Sequence, residues 1–376
     1  TNIDYNEQGL TGTVPTELGQ FTEVRSLSLG NNQLTGAIPT EIGQMRKLTT
    51  GGYGGFFSDN KLTGTIPTEL GMLSQMGDKF SLYSNSFTGA APSELGQLSQ
   101  MSSWFALHSN LFSGAVPTQL GQLVQMSSSF YLHSFSGAVP TQLGQLSQMS
   151  SWFALHYNSF SSTVPTQLGQ LVQMSSRFYL HSNSFSGAVP TQLGQLSQMS
   201  SWFALHYNSF SSTVPTQLGQ LVQMSSSFNL HSNSFSSMVP TQLGQLEKMT
   251  HAFQLMSNNF CGDVPTEVQA LSSGVTEYWR VTPGNLFGEV CVDPSTAAPT
   301  VEPTTAAPTI SSKPTSLPTM APTTSLPTTA PTTTPVPSAP PTPEPTPLCG
   351  PGKFLNTSSH ECEGCASGRV SEGGVG

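Results

Sequence analysis

A chain of 376 residues is long enough for a sizeable core, yet only 8% of it is charged and its formal net charge is -9. Between Leu95 and Leu246 the single Lys, Arg, Asp or Glu is Arg177, so the clustered cations that steer nucleic acid or anionic lipid are missing there. No stretch has the apolar length of a membrane span, so no membrane insertion is expected within this sequence; with Thr1 in first position it reads as a fragment, any signal peptide and anchor lying outside it.

The first element to emerge along the chain is a repeat. Prolines in a Val/Ile-Pro-Thr-like context fall at 15, 39, 67, 92, 117, 140, 165, 190, 215, 240 and 265, with spacings of 24, 28, 25, 25, 23 and then 25 five times. The first clean copy reads Leu18, Phe21, Val24, Leu27, Leu29, Asn32, Leu34, Gly36, Ile38, Pro39. A period between about 20 and 29 residues belongs to coils that bury their apolar edge only by stacking on one another.

This copy resembles the plant-type leucine-rich repeat, Leu-x-x-Leu-x-x-Leu-x-Leu-x-x-Asn-x-Leu-x-Gly-x-Ile-Pro. The resemblance implies an α/β-type repeat solenoid, a right-handed superhelix of short parallel strands and turns, with about eleven coils and a C-terminal cap over residues 1–293. In one coil Leu193, Leu196, Met199, Phe203, Leu205, Phe210 and Val214 should point inward. The asparagines at Asn32, Asn60, Asn85, Asn110, Asn158, Asn183, Asn208, Asn233 and Asn258 should form a ladder, turning the chain after the strand and satisfying backbone groups of adjacent coils.

From Gln97 onward most coils hold one residue more than a 24-residue template, just before the strand, and two registers fit. The recurring Phe105, Phe130, Phe153, Phe178, Phe203, Phe228 and Phe253 favour the register with Phe inward, since the position before them varies. The concave sheet then shows three columns. The first is Trp104, Ser129, Trp152, Arg177, Trp202, Ser227, Ala252 and the second Ala106, Tyr131, Ala154, Tyr179, Ala204, Asn229, Gln254. The third is His108, His133, His156, His181, His206, His231, Met256. The candidate binding residues are the aromatics, Arg177 and the six histidines of these columns.

Segments 147–196 and 197–246 differ only at 177, 179, 187 and 188 against 227, 229, 237 and 238. Two irregularities interrupt the array: the Gly51-Gly52-Tyr53-Gly54-Gly55 insertion, and a two-residue deletion between Ser134 and Phe135 that removes one Asn and should leave a local defect in the ladder. After the last coil, Ser272 to Val292 departs from the period and reads as a cap. Cys261 and Cys291 flank it and are expected to form a disulfide, with two free buried cysteines as the alternative.

Residues 294–348 are Pro, Thr, Ala and Ser with almost no large apolar side chain, which predicts a disordered, O-glycosylated stalk. In residues 349–376, Cys349-Gly-Pro-Gly-Lys-Phe and Cys362-Glu-Gly-Cys365 resemble the start of a truncated ephrin-receptor-like or tumour-necrosis-factor-receptor-like cysteine-rich module, and Asn356 matches an N-glycosylation acceptor.

Catalysis is not expected: the central coils hold no Asp or Glu to orient a histidine, and the His-Ser recurrence follows from duplication. Strands about 4.8 Å apart would let neighbouring imidazoles share Zn, Cu or Ni, but a copied surface residue explains the column, so no metal or cofactor is expected. The leading reading is an extracellular or cell-surface recognition or adhesion module, similar to plant receptor ectodomains and to the polygalacturonase-inhibitor group, taking protein, peptide or neutral glycan on its concave face. For the glycan, tryptophans on alternate coils repeat every 10 Å or so. The alternatives are a structural wall or matrix spacer, and ice or mineral binding by ladders such as Thr166, Thr191, Thr216 and Thr241.

Overall fold

The computed structural model describes residues 1–291 and, as backbone only, the antiparallel strands Lys353–Asn356 and Glu361–Gly364. The chain divides into two compact units, Thr1–Val301 and Glu302–Gly376.

One coil shows how the repeat folds. Pro190, with φ -61° and ψ 130°, leads into the five-residue 3-10 turn Thr191–Gln195; its fixed φ suits the entry, and its missing N–H is not needed there. The strand Ser201–Ala204 follows, then a left-handed residue, Tyr207 (φ 52°), then Asn208 and a second strand, Ser209–Ser212. Each coil stacks on the last so that every element meets its own copy. Gly194 sits where this stacking is tightest: a Cβ there would lie 2.4 Å from the Gln217 carbonyl oxygen of the next coil.

Eight first strands, from Phe80–Ser81 to His251–Gln254, form one parallel sheet on the face expected to be concave. Its register aligns Phe105, Phe130, Phe153, Phe178, Phe203, Phe228 and Phe253, all of them fully buried. From Phe80 onward these rings stack with centroids 5.4–5.9 Å apart and planes within 15°. Burial of each ring contributes about 1.5–3 kcal/mol, and the stacking about 0.5–1.5 kcal/mol more per pair. The inward set Leu193, Leu196, Met199, Leu205 and Phe210 is likewise fully buried, with Val214 2% exposed.

The asparagine ladder joins neighbouring coils. Asn183 Nδ2 reaches the carbonyl oxygens of Leu180 (3.1 Å) and His181 (3.2 Å) in its own coil and Leu155 (2.9 Å) in the one before. Its Oδ1 accepts the Phe160 N–H at 3.1 Å. Asn285 repeats the pattern in the cap, donating to Leu255 and Val281 and accepting from Phe260, although its spacing of 27 residues from Asn258 hides it from the period.

Both irregularities leave marks. The glycine-rich insertion separates the first two coils, whose strands Asn2–Asp4 and Ser26–Ser28 form their own two-stranded sheet, linked onward by isolated bridges through Thr50 and by single backbone bonds such as that from the Leu29 N–H to the Phe56 carbonyl oxygen at 3.1 Å. The deletion after Ser134 splits the outer ladder into sheets of five and seven strands, and the strands on either side, Leu111–Phe112 and Ser136–Gly137, shrink to two residues. Ser134 Oγ substitutes in part for the lost amide by donating to the Asn110 carbonyl oxygen at 2.9 Å. At the far end Trp279 stacks on Phe253 at 5.2 Å and Phe287 on Phe260 at 6.3 Å, so the cap continues both aromatic columns. Cys261 and Cys291 are joined by a disulfide, with Cα atoms 5.2 Å apart.

Candidate functional site

The three columns lie on the long parallel sheet. Trp104 and Trp202 are 36% and 43% exposed, Trp152 and Tyr179 are half-buried, and Tyr131 is buried. Because large residues of the first column sit diagonal to large residues of the second, the rings meet in a zigzag. Centroid distances are 5.4 Å for Trp104–Tyr131, 5.5 Å for Tyr131–Trp152, 6.4 Å for Trp152–Tyr179 and 6.1 Å for Tyr179–Trp202. The Arg177 guanidinium lies 3.7 Å from the Trp152 ring centroid, a cation-π contact that covers part of that tryptophan. Burial holds the phenols of Tyr131 and Tyr179 neutral, pushing both above the usual tyrosine range.

The six histidines form a stack beside this zigzag. Successive imidazole centroids from His108 to His231 are 5.3, 4.4, 4.7, 4.3 and 4.5 Å apart. Burial, reinforced by like charge between neighbouring rings, holds His133, His156, His181 and His206 down at about 3. Burial alone lowers His108 to about 4, and burial with the nearby Arg280 charge lowers His231 to about 4. The stack is therefore neutral at pH 7. His181 and His231 Nδ1 each lie 3.1 Å from the following serine Oγ, while His108, His156 and His206 have a buried Nδ1, and His133 a buried Nε2, without a hydrogen-bond partner. Among the described residues no group of three His, Cys, Asp or Glu side chains is arranged to hold a metal.

Three tyrosines escaped the sequence reading. Tyr83 continues the histidine column one coil earlier and stacks on His108 at 4.6 Å and 7°. Tyr157 and Tyr207, 64% and 57% exposed, flank the stack from the left-handed turn position before Asn158 and Asn208. Their recurrence on alternate coils was the available clue, obscured because that position belongs to the turn. Thr166, Thr191, Thr216 and Thr241 are exposed first residues of the 3-10 turns, each hydroxyl 3.3–3.4 Å from the next glutamine Oε1. Asn356, Cys349, Cys362 and Cys365 lie outside the residues whose side chains are described.

One backbone feature divides the first column. Trp104, Ser129, Trp152 and Arg177 pair across the sheet within their strands. Trp202, Ser227, Ala252 and Tyr278, at the same place in four successive coils, instead adopt φ values of 59°, 59°, 51° and 58°. Trp202 drops out of the register between Ser201 and Phe203, which is where the extra residue before the strand is absorbed.

Comparison with known proteins places this architecture. A Leucine Rich Repeat family model matches residues 23–45. No curated protein matches the sequence. The fold is similar to the solved TDR receptor, with TM-score 0.67 and 26% identity over 76% of this chain and 47% of that one. It is similar also to the plant peptide hormone receptor RGFR1 in complex with RGF2, with TM-score 0.60 and 25% identity over 76% and 48%. A leucine-rich-repeat protein of Leptospira interrogans shares the fold at TM-score 0.53 and 24% identity, over 73% and 70%. The chain thus spans about half the length of the two receptors it resembles. From the Asn32 ladder at one end to the stacked cap at the other, the chain has the fold of a leucine-rich-repeat solenoid, similar to those of plant receptors.

Proposed function

We propose that the repeat array is an extracellular or cell-surface recognition module, without catalytic activity, whose concave sheet binds an extended and largely uncharged peptide segment. The observation that carries this reading is the continuous aromatic zigzag from Trp104 to Trp202, partly exposed and bordered by a neutral imidazole stack. Rigid aromatic side chains present large amphipathic contact area at little entropic cost, and such residues dominate the energetics of binding surfaces. The single positive charge, Arg177, is already held on Trp152 and offers a carboxylate little that is free. Similarity to a peptide hormone receptor supports a peptide over a glycan, and the partly covered Trp152 ring is a poorer platform for a sugar than an open one. In this reading residues 294–348 act as a spacer and 349–376 as the start of a separate module.

Selection of linear peptides from a displayed random library on the folded protein, followed by calorimetry, tests this. Trp152→Ala and Tyr179→Ala should each weaken a selected peptide at least about tenfold, in the range of an interface anchor. Unchanged affinity in both variants would refute a peptide site on this sheet.

A further inference from the structure

The C-terminal end of the concave sheet differs from its middle in a way that makes a site. The four left-handed residues Trp202, Ser227, Ala252 and Tyr278 border a single open cleft of about 500 Å³, with Ser226, Asn229, His251 and Gln254 as its other, polar members. That volume is within the ordinary range of small-molecule sites, about 300–1,000 Å³. A left-handed conformation costs a non-glycine residue about 1–2 kcal/mol, and this strain recurs in four coils around one cleft. Bulges of this kind re-aim side chains where a strand would point them elsewhere.

An independent observation lies at the base of the cleft. Asn229 is 7% exposed, and its Oδ1 is buried without a hydrogen-bond partner. Leaving such an acceptor unpaired costs about 1–3 kcal/mol, and a donor from a bound molecule removes that cost. The sequence points to the same place. Of the four differences between the duplicated segments, two replace Arg177 and Tyr179 with Ser227 and Asn229, and both new residues line the cleft. Two bulky side chains are thereby absent where the duplicate would fill the space.

We propose that this cleft is a binding site for one neutral pyranose ring, either a free sugar or the end of a glycan. Trp202 and Tyr278, 43% and 56% exposed, offer aromatic surface to the apolar C–H face of the ring. Asn229 Oδ1 accepts a ring hydroxyl, and the Gln254 carboxamide and Ser227 hydroxyl supply further donors and acceptors. No lining side chain is a carboxylate, ammonium or guanidinium, and the one ionisable base among them is the His251 imidazole, so the cleft is built mainly of aromatic, amide and hydroxyl groups; the Arg280 guanidinium stands outside it, 5.8 Å from the Tyr278 ring centroid. The cleft shares Trp202 with the end of the aromatic zigzag and is otherwise built from residues outside it, whereas the peptide surface centres on Trp152 and Tyr179.

Saturation-transfer NMR with the methyl glycosides of glucose, mannose and galactose, on the whole chain, tests the proposal. At least one should show transfer at millimolar concentration. Ser227→Arg with Asn229→Tyr restores the residues that the duplicate coil already tolerates, so this variant fills the cleft without threatening the fold; it should abolish that transfer. Trp202→Ala should weaken binding at least tenfold. Absence of transfer from all three glycosides overturns the proposal, as does transfer unchanged in the filled variant. If a selected peptide, rather than a glycoside, loses affinity in the filled variant, the cleft belongs to the peptide surface and the sugar assignment falls while the peptide reading stands.

Discussion

Segments 147–196 and 197–246 amount to an experiment performed by duplication. They share every core residue, and Asn183 and Asn233 make the same bonds at nearly the same distances. Yet Trp152 lies within its strand, opposite Ser129 and Arg177, while Trp202 is left-handed and unpaired. Both tryptophans sit in the same local sequence, Ser-Ser-Trp-Phe-Ala, as does the in-register Trp104 opposite Ser129, so the local sequence does not set the bulge by itself. Trp152 is clamped by the Arg177 guanidinium, and the corresponding neighbour of Trp202 is the short Ser227. The stacked core sets the path of the coils. The face varies from coil to coil over that constant core.

The largest test of what the segments share is acid. An unfolded histidine protonates near 6.5, whereas burial holds His156, His181 and His206 at about 3 and His231 at about 4. The unfolded chain therefore takes up protons first, so stability is fully present above about pH 6.5 and declines as pH falls toward 4. Each histidine contributes at most about 1.4 kcal/mol per pH unit in that window. Urea midpoints should drop steeply between pH 7 and 5, and His156→Gln and His206→Gln should flatten the slope equally. A midpoint independent of pH would show that the stack is solvated.

Next in size is the asparagine ladder. Asn183→Ala and Asn233→Ala each strand a phenylalanine N–H, that of Phe160 or Phe210, and leave leucine carbonyls unpaired, so each should cost about 3 kcal/mol. Equal losses in chemical denaturation fit a uniform ladder, and a difference above about 1 kcal/mol would show that one segment carries more of the fold.

Arg177→Ser with Tyr179→Asn converts the face of the first segment into that of the second. Loss of the cation-π contact and of a half-buried ring should cost about 2 kcal/mol. The indole N–H resonance of Trp152 should move toward that of Trp202. An unmoved resonance would mean that the bulge is imposed from the cap and not by the facing side chains.

The smallest effect comes from the outer strands, where Gly187 (φ 73°) is replaced by Ser237 (φ 71°). Ser237→Gly should stabilise by about 1 kcal/mol and Gly187→Ser should destabilise by about as much, since only glycine takes this conformation without cost. Melting temperatures of the two variants should shift in opposite directions.

Much of this was legible in the sequence because a stacked array makes each residue type repeat its task. The invariance of Phe153 and Phe203, set against variation just before them, gave the correct inward face, and a missing Asn after Ser134 marked the place where the outer ladder breaks. What could not be read was where the backbone departs from the repeat. The bulge at Trp202 is not written in its own strand, whose Ser-Ser-Trp-Phe-Ala sequence recurs without a bulge at Trp104 and Trp152, and Asn285 falls off the period because the cap coil is longer. The cleft at the C-terminal end was invisible for the same reason: Ser227 and Asn229 look like neutral drift until Tyr278 is seen beside them.

The sameness of the coil interfaces also bears on heredity. Where each coil offers its neighbour the same phenylalanine stack and the same amide, a gene encoding it can slip by one 50-residue unit during recombination and still specify a closed core. Excision of 197–246 would set the His181 coil against the His251 coil, with Phe178 meeting Phe253 as Phe228 now does. The shorter protein would keep its fold and lose part of its length. It would also bring Arg177 and Tyr179 to the last junction and close the cleft, so copy number is free to vary across the array while the final pair of coils is not.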